Sequence, residues 1–396
     1  MASPGSVLIV VENLPVPFDR RVWMEATALA GAGYEVGVIS PKGKGFEREH
    51  EVIDGIRVYR HDLPPEGHSA PTYLREYASA LLAEMKLTRR IFRERPFDVI
   101  HVCNPPDLMF LFASWFKLRH RVRVIFDHHD INPELYEAKY GRRDFFYRLL
   151  RLAELCTFLT ADVVITTGES YRAIALGRGG KKAEDVFIVR SAPDLSRFQA
   201  VTPDETYKRG RRYLVGYVGV MGPQEGLDYL LRAARAIVDS GRTDVSFVLI
   251  GDGPSAADLK ALASDLGLTD FVEFPGRVPD EELIARLSTC DVCVNPDPYN
   301  PFNDASVMNK ILEYMSLGRP VVQFDLTEGR RSAGEASAYV RRNDTGDLAK
   351  AIVELLDDEE RRTKMGQEGY RRMRDLLGWR HQVPTLLQAY RRVLSR

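Results

Sequence analysis

Nowhere does the chain run for the roughly 20 uninterrupted apolar residues that a membrane-crossing helix needs, so no transmembrane segment is expected. Charge of one sign is missing as well. Lys and Arg number 55 against 56 Asp and Glu, for a net charge of -1 and a pI near 6.7. That balance argues against a protein built to grip nucleic acid along its length. The N-terminus, Met-Ala-Ser-Pro-Gly-Ser, has no basic segment leading into an apolar stretch; it reads as no signal peptide, and a cytoplasmic location is expected. Cysteine is scarce, and four in 396 residues do not make a disulfide framework. Cys290 and Cys293 form a CxxC, but they flank Asp291-Val292 in a segment that reads as a buried strand. With no second CxxC or His pair nearby, they read as structural, and Cys103 and Cys156 as small buried apolar residues. No GxGxxG is present, which leaves a nicotinamide reading weak, and no Asp-x-Asp ends a predicted strand, so no metal site is expected.

What remains is a globular composition, 44% hydrophobic, 28% charged and 10% aromatic, in a chain long enough for two cores. Short β-branched runs alternate with helical patterns. Strands read from Val7 to Val11, Glu35 to Ile39, Arg57 to Arg60, Val99 to Val102, Arg123 to Phe126 and Val163 to Thr166. Arg21 to Ala32 and Tyr77 to Phe92 carry helical spacing. The pattern stops near Ser191-Ala-Pro-Asp194 and a polar stretch ending at Arg212. It restarts with Leu214 to Val218, Ser246 to Ile250, Val272 to Phe274, Val292 to Asn295 and Pro320 to Phe324. Apolar strands alternating with helices predict α/β domains with parallel sheets covered on both faces. The expected division is 1–200, 201–378 and a charged helical end over 379–396. Sheets of this kind take ligands beyond the carboxyl ends of their strands. Two of them facing across a cleft would suit a reaction between two substrates.

Two segments carry chemistry. Gly219-Val-Met-Gly222-Pro-Gln-Glu-Gly226 lies between a strand and a helix, where glycines let the backbone approach a phosphate and leave N–H groups at the helix start. A common Gly-rich turn reads equally well. Further on, Asp304 and Ser306 stand as candidate N-caps of a short helix ended by Gly318 and Pro320. Lys310 and Glu313 are three apart and share a face of that helix. Two readings stand: a surface salt bridge, or N–H groups of Ser306, Val307, Met308 and Asn309 meeting a diphosphate with Lys310 while Glu313 accepts from ribose hydroxyls.

At this segment the sequence resembles glycosyltransferase family 4, retaining enzymes of the GT-B fold. Glu313-Tyr-Met-Ser-Leu-Gly318-Arg-Pro-Val-Val322 resembles the family's Glu-Ala-Met-Ala-x-Gly-Lys-Pro-Val-Val block. Leu249-Ile-Gly251-Asp-Gly253-Pro254, Val272-Glu-Phe-Pro-Gly276-Arg277-Val278 and Arg190-Ser-Ala-Pro-Asp194-Leu-Ser-Arg-Phe198 resemble further blocks in the same order. So do Asp127-His128-His129-Asp130 and, before a last helix that in this fold crosses back to the first domain, Gly378-Trp379. The resemblance implies transfer of a sugar from a nucleoside diphosphate, UDP first and GDP-mannose second, to a glycan or lipid-linked acceptor, as in polysaccharide synthesis. It implies no cofactor and no required metal.

Residue by residue, the resemblance implies donor binding at Gly219, Gly222, Gly226, Gly253, Arg277, Asp304, Ser306, Val307, Met308, Asn309, Lys310 and Glu313. His129, Lys310 and Glu313 are the expected catalytic groups, His129 at the sugar end. Asn13, Arg20, Arg21, Asn104, Asp107 and His128 are candidates for the acceptor side. Two departures matter. The first member of the family's paired glutamates falls at Ala305, and the Arg and Lys that hold the diphosphate fall at Val220 and Glu225. Lys310 is the expected replacement, with Arg20 and Arg21 behind it. Rival readings are a nucleotide-sugar epimerase on the same fold and a non-catalytic partner that binds nucleotide sugar. Arg142 to Arg151 and Lys86 to Arg93 mix basic and aromatic residues. Either they touch a membrane surface, or, as preferred here, they turn an apolar face to the core and a basic one to water.

Overall fold

The computed structural model describes residues 4–62 and 70–396; the first three residues, which enter the reading of the N-terminus, lie outside it. The chain divides into two compact units. One runs to Val189 and takes in Gln382–Arg396, and the other is Arg190–His381. The division falls ahead of residue 200 because the sheet of the first unit extends that far: the Val189 amide donates to the Thr166 carbonyl at 2.8 Å. No helix of the described residues is long and apolar enough to cross a membrane.

In the first unit the strands are β1 (Ser6–Val10), β2 (Glu35–Pro41), β3 (His50–Ile53), β4 (Ile56–His61), β5 (Val99–Cys103), β6 (Arg123–His128), β7 (Val163–Thr166) and β8 (Val186–Ile188). They lie in the order β3-β4-β2-β1-β5-β6-β7-β8, with every pair parallel but β3–β4. That pair is a hairpin closed by Asp54 and Gly55, both at positive φ (51° and 82°), the conformation of a two-residue type I′ turn. Leu8, Val10, Ile100, Val102, Val124 and Phe126 meet Phe112, Phe116 and Phe158 from the covering helices. From the last helix, Trp379–Leu394, the buried Leu386, Ala389, Tyr390 and Val393 join this unit, and the Tyr390 ring stands edge-on to Tyr34 with centroids 5.6 Å apart.

The second unit has β9 (Tyr213–Val218), β10 (Val245–Ile250), β11 (Val272–Gly276), β12 (Val292–Asn295), β13 (Val321–Phe324) and β14 (Ser337–Val340), all parallel, in the order β11-β10-β9-β12-β13-β14. Counted from its own first strand this is the doubly wound 3-2-1-4-5-6 order, and the first unit follows it too once its two edge strands, β3 and β8, are set aside. The strands read from the sequence are all present; β3, β8 and β14 were not read. Cys290 and Cys293 are buried free thiols, Cys293 within β12 and Cys290 at the end of the helix before it. Strand order reverses between β1 and β5 in one sheet and between β9 and β12 in the other. Crevices for ligands open at such points.

Candidate functional site

In the second unit the loops beyond β9, β10 and β12 pack backbone on backbone. Gly226 has φ +63°, and a Cβ there would stand 2.1 Å from the Pro296 carbonyl oxygen. A Cβ on Gly253 would come within 2.7 Å of the Met221 carbonyl. These glycines therefore serve loop packing. The N–H groups expected to meet phosphate are partly spent, since Gly219 donates to Ile250 at 3.1 Å and Met221 to Asp252 at 3.0 Å. Gly222 is buried beside the Gln224 side chain.

Across this crevice the Lys310 Nζ donates to Glu225 Oε2 at 2.7 Å and to Asp297 Oδ1 at 2.9 Å, over the ring of Tyr217. Lys310 is only 8% exposed and Asp297 is wholly buried. Burial pushes the Asp297 carboxyl up to about 7 against the pull of Lys310. Burial opposes the charge on Lys310 too, but Asp297, Tyr217 and Glu225 outweigh it and raise its affinity for the proton. Lys310 is thus no uncompensated cation. The carboxylate at 225, where the family resemblance places a Lys, is one of the groups that holds it.

The helix bearing Lys310 runs Asn309–Ser316, with Met308 in the cap position and no side-chain cap. Asp304 and Ser306 do not cap it. They stitch the preceding loop: Asp304 accepts from Thr327 N and Oγ1, both at 2.9 Å, and Ser306 Oγ donates to Phe302 O at 2.7 Å. The Ser306 amide is turned to Asn303 O at 3.3 Å, so it too is withdrawn from a ligand. Val307 and Met308 pack against Ile311, Leu312 and Met315. Asn309 is exposed, Glu313 is half-buried one turn past Lys310, and Arg277 is exposed just beyond β11. The side-chain oxygens of Gln224 and Asn303, both buried in the same loops, have no hydrogen-bond partner among the described residues.

In the first unit Asp19 caps the Arg20–Gly31 helix by accepting from Val22 N. Arg20 is exposed, but Arg21 turns inward. Its Nε and Nη2 donate to the two oxygens of Asp127 at 2.8 and 2.6 Å, and its Nη1 to Val189 O at 2.8 Å. Arg21 is therefore withdrawn from any acceptor or phosphate. Glu25, one helical turn on, lies 3.1 Å from the same guanidinium. Burial would raise Asp127, yet Arg21, His129 and His101 hold its carboxyl well below the usual range. Glu25 goes the other way, up to about 7, through burial and the Asp127 charge. His101 Nδ1 is 2.6 Å from the Tyr390 hydroxyl.

Alternate residues of β6 point to opposite faces, and both faces are covered. Asp127 meets Arg21 on one face. On the other, His128 lies in the core 3.3 Å from Glu154 and among Phe126, Phe158 and Tyr171. This removes His128 from the acceptor side. His129, the first residue past the strand, is 14% exposed, with Nδ1 3.4 Å from Asp127 Oδ2 and its amide donating to Asn104 Oδ1 at 2.9 Å. Asn104 also accepts from Asp130 N and donates to Asp107 Oδ1 and Asp130 O, so its hydrogen-bonding capacity is used within the protein. Asp107 is buried, pushed up to about 6, and accepts from Asn132 at 2.6 Å. Asn104 and Asp107 brace the His129 loop in place of lining an acceptor surface. Asn13 is exposed in the loop after β1. Sequence reasoning missed Asp127, Glu25, Asp297 and Tyr217; the four-residue spacing of Arg21 and Glu25 was the one available signal.

The two basic–aromatic stretches part company. Around Lys86 to Arg93, Leu87, Ile91 and Phe92 face the core. The Phe145–Thr160 helix buries Tyr147, Ala153 and Phe158 as expected but leaves much of its apolar surface outside: Phe145 is 72% exposed, Leu159 70%, and Phe146, Leu149, Leu152 and Leu155 are exposed with them.

Residues 19–192 match the family model for the glycosyl transferase 4-like domain, and residues 212–358 match that for glycosyl transferases group 1. The chain belongs to glycosyltransferase family 4. The chain is 26% identical over 258 residues to a 2-deoxystreptamine glucosyltransferase of Streptomyces kanamyceticus; the match takes in 63% of this chain and 65% of that enzyme, short of two thirds of its length. Among solved structures, sucrose-phosphate synthase from Thermosynechococcus elongatus superposes with a TM-score of 0.81 at 20% identity, covering 98% of this chain and 99% of that one. The Anabaena protein HepE in complex with UDP-glucose gives 0.72 at 15%, covering 98% and 99%. The likeness to these structures is one of fold, and the fold of this glycosyltransferase is GT-B.

Proposed function

We propose that this glycosyltransferase moves a sugar from a nucleoside diphosphate, a UDP-sugar before GDP-mannose, to a glycan or lipid-linked acceptor with retention of configuration. The observation that carries the reading is Lys310 at the strand-order reversal of the second sheet, one helical turn from Glu313 and divided between two carboxylates. A diphosphate entering there competes with Glu225 and Asp297 for Lys310, and Asp297, at about 7, takes up a proton as it yields. The start of the Asn309–Ser316 helix favours an anion through its dipole, although the Ile311 amide is already turned to Met308 O at 3.2 Å. Glu313 accepts from the ribose, and the departing diphosphate gains charge that Lys310 stabilises. His129 serves the sugar end. No cofactor or metal enters the reaction.

Calorimetry with UDP, GDP and their sugars, set beside Glu313→Ala, tests the reading. The expected outcome is one tight nucleotide and a loss of about 1.5–3 kcal/mol on removing Glu313. Unchanged affinity in a folded Glu313→Ala protein removes Glu313 from the site. Turnover of the sugar nucleotide without any acceptor favours the epimerase, and binding without turnover favours the non-catalytic partner.

A peripheral membrane contact belongs to the same proposal. Phe145, Phe146, Leu149, Leu152 and Leu159 are exposed along one helix, beside the exposed Arg142, Arg143 and Arg148. An apolar row flanked by Arg suits an anionic lipid surface. Co-sedimentation with anionic vesicles, weakened by Phe145→Ser with Leu149→Ser and absent on zwitterionic vesicles, is the expected result.

A further inference from the structure

We propose that Asp127 is a positioning residue for His129: fixed by Arg21, its charge faces the Nδ1 edge of the ring, keeps a proton on that nitrogen and leaves Nε2 as the working atom beyond the end of β6. The inference rests on the reading of His129 as the sugar-end group, but its first test does not.

The geometry leaves the carboxylate little freedom. Both of its oxygens are taken by the Arg21 fork at 2.8 and 2.6 Å, and the guanidinium is anchored by its third nitrogen to Val189 O. A bidentate Arg–carboxylate pair in a buried setting fixes orientation as well as charge. The main chain of His129 is then held by its backbone amide, which donates to Asn104 Oδ1 at 2.9 Å, and this sets the ring with Nδ1 3.4 Å from Asp127 Oδ2. The second contact is long for a hydrogen bond, so it acts chiefly as attraction between charges. Among the described residues, Asp127, Asp19, Asp130 and Glu25 stand around the ring with Arg21, and Lys139, His128 and His101 act on the same carboxylates. Burial favours the neutral ring, and Asp127 more than offsets it, so His129 keeps its proton to higher pH than an ordinary histidine. Which nitrogen of a histidine works is decided by what the other one meets. A protonated His129 places a cation just beyond the end of β6.

The test is NMR of the full-length protein with labelled histidine. In the parent, the neutral His129 ring should carry its proton on Nδ1, and its titration should lie above the ordinary histidine value. In Asp127→Asn the titration should fall by about one pH unit or more. A neutral parent ring protonated on Nε2 overturns the proposal without any variant, which covers the case in which Asp127→Asn fails to fold. So does an unmoved titration in a folded Asp127→Asn. The second readout is kinetic. The alkaline limb of kcat/KM should move to lower pH in Asp127→Asn, and the same change placed on His129→Ala should cost no further activity. A large extra loss on that background means Asp127 acts elsewhere, and the proposal falls. Full activity of His129→Ala alongside the expected NMR shifts would leave Asp127 as the group that orients the ring and remove the sugar-end reading instead.

Discussion

Each sheet gathers a buried cation and two carboxylates where its strand order reverses, yet the clusters are built differently. In the first unit the flat fork of Arg21 grips both oxygens of one carboxylate, and Asp127 stays ionised far below the usual range. In the second, the single nitrogen of Lys310 is divided between Glu225 and Asp297, and Asp297 sits at about 7. A guanidinium matches a carboxylate with two parallel bonds and keeps it; an ammonium is a point charge that three acceptors can share in turn. The first cluster is a brace, and the second is a contact that an incoming anion can reopen. What a buried ion pair does thus follows from the shape of its cation.

The comparison is most exposed to removal of the two cations. Arg21→Met strands Asp127 and Glu25 in the interior and should cost about 3–5 kcal/mol of stability by urea unfolding. Lys310→Met should cost less, about 1–3 kcal/mol, because Asp297 can take a proton in its place. Equal losses would erase the distinction. Next comes Glu225→Gln, which removes a competitor for Lys310 and should tighten UDP binding by about 1.5 kcal/mol in calorimetry. Weaker binding would mean that Glu225 helps the nucleotide and does not compete with it.

The last effect is one of pH and is read as a slope. The Glu25 carboxyl rises from 4.5 to about 7 on folding, so the folded protein binds that proton more tightly than the unfolded chain. Its contribution to stability is complete below about 4.5 and is lost as pH rises through about 7. Glu25→Gln should therefore flatten the fall of stability across that window by about 1 kcal/mol per pH unit. Asp297 shares the window and leaves a residual slope. An unchanged slope in Glu25→Gln would show that the first cluster holds no shared proton.

Long apolar strands were readable because their two-sided burial leaves a continuous β-branched run, as in Val99 to Val102 or Val292 to Asn295. The strands that escaped carry little of that signal. Val186–Ile188 is three residues long, and His50–Ile53 is half polar on an edge, although the Asp54-Gly55 turn after it was a usable hairpin mark. At the site, the sequence brought out Lys310, Glu313 and His129, but not where the polar residues beside them face. Asp127 and His128 are the last residues of β6, one step short of its rim, and a sheet covered on both faces turns each into its interior. A charge one position before a strand's end and one just past it look alike in sequence. The partners that decide the difference, Arg21, Glu25 and Glu154, lie far away along the chain.

The seat of the last helix bears on how the protein is made. Leu386, Ala389, Tyr390 and Val393 are buried in the first unit, which otherwise closes at Val189, whereas the second unit is one unbroken stretch, Arg190–His381. During synthesis domains ordinarily complete themselves from the N-terminus onward, at about 5–20 residues per second. Here the order is inverted. The second unit has all its residues once His381 has been added, and the first only once Tyr390 and Val393 have. The half of the transferase that is translated first is the half that finishes last.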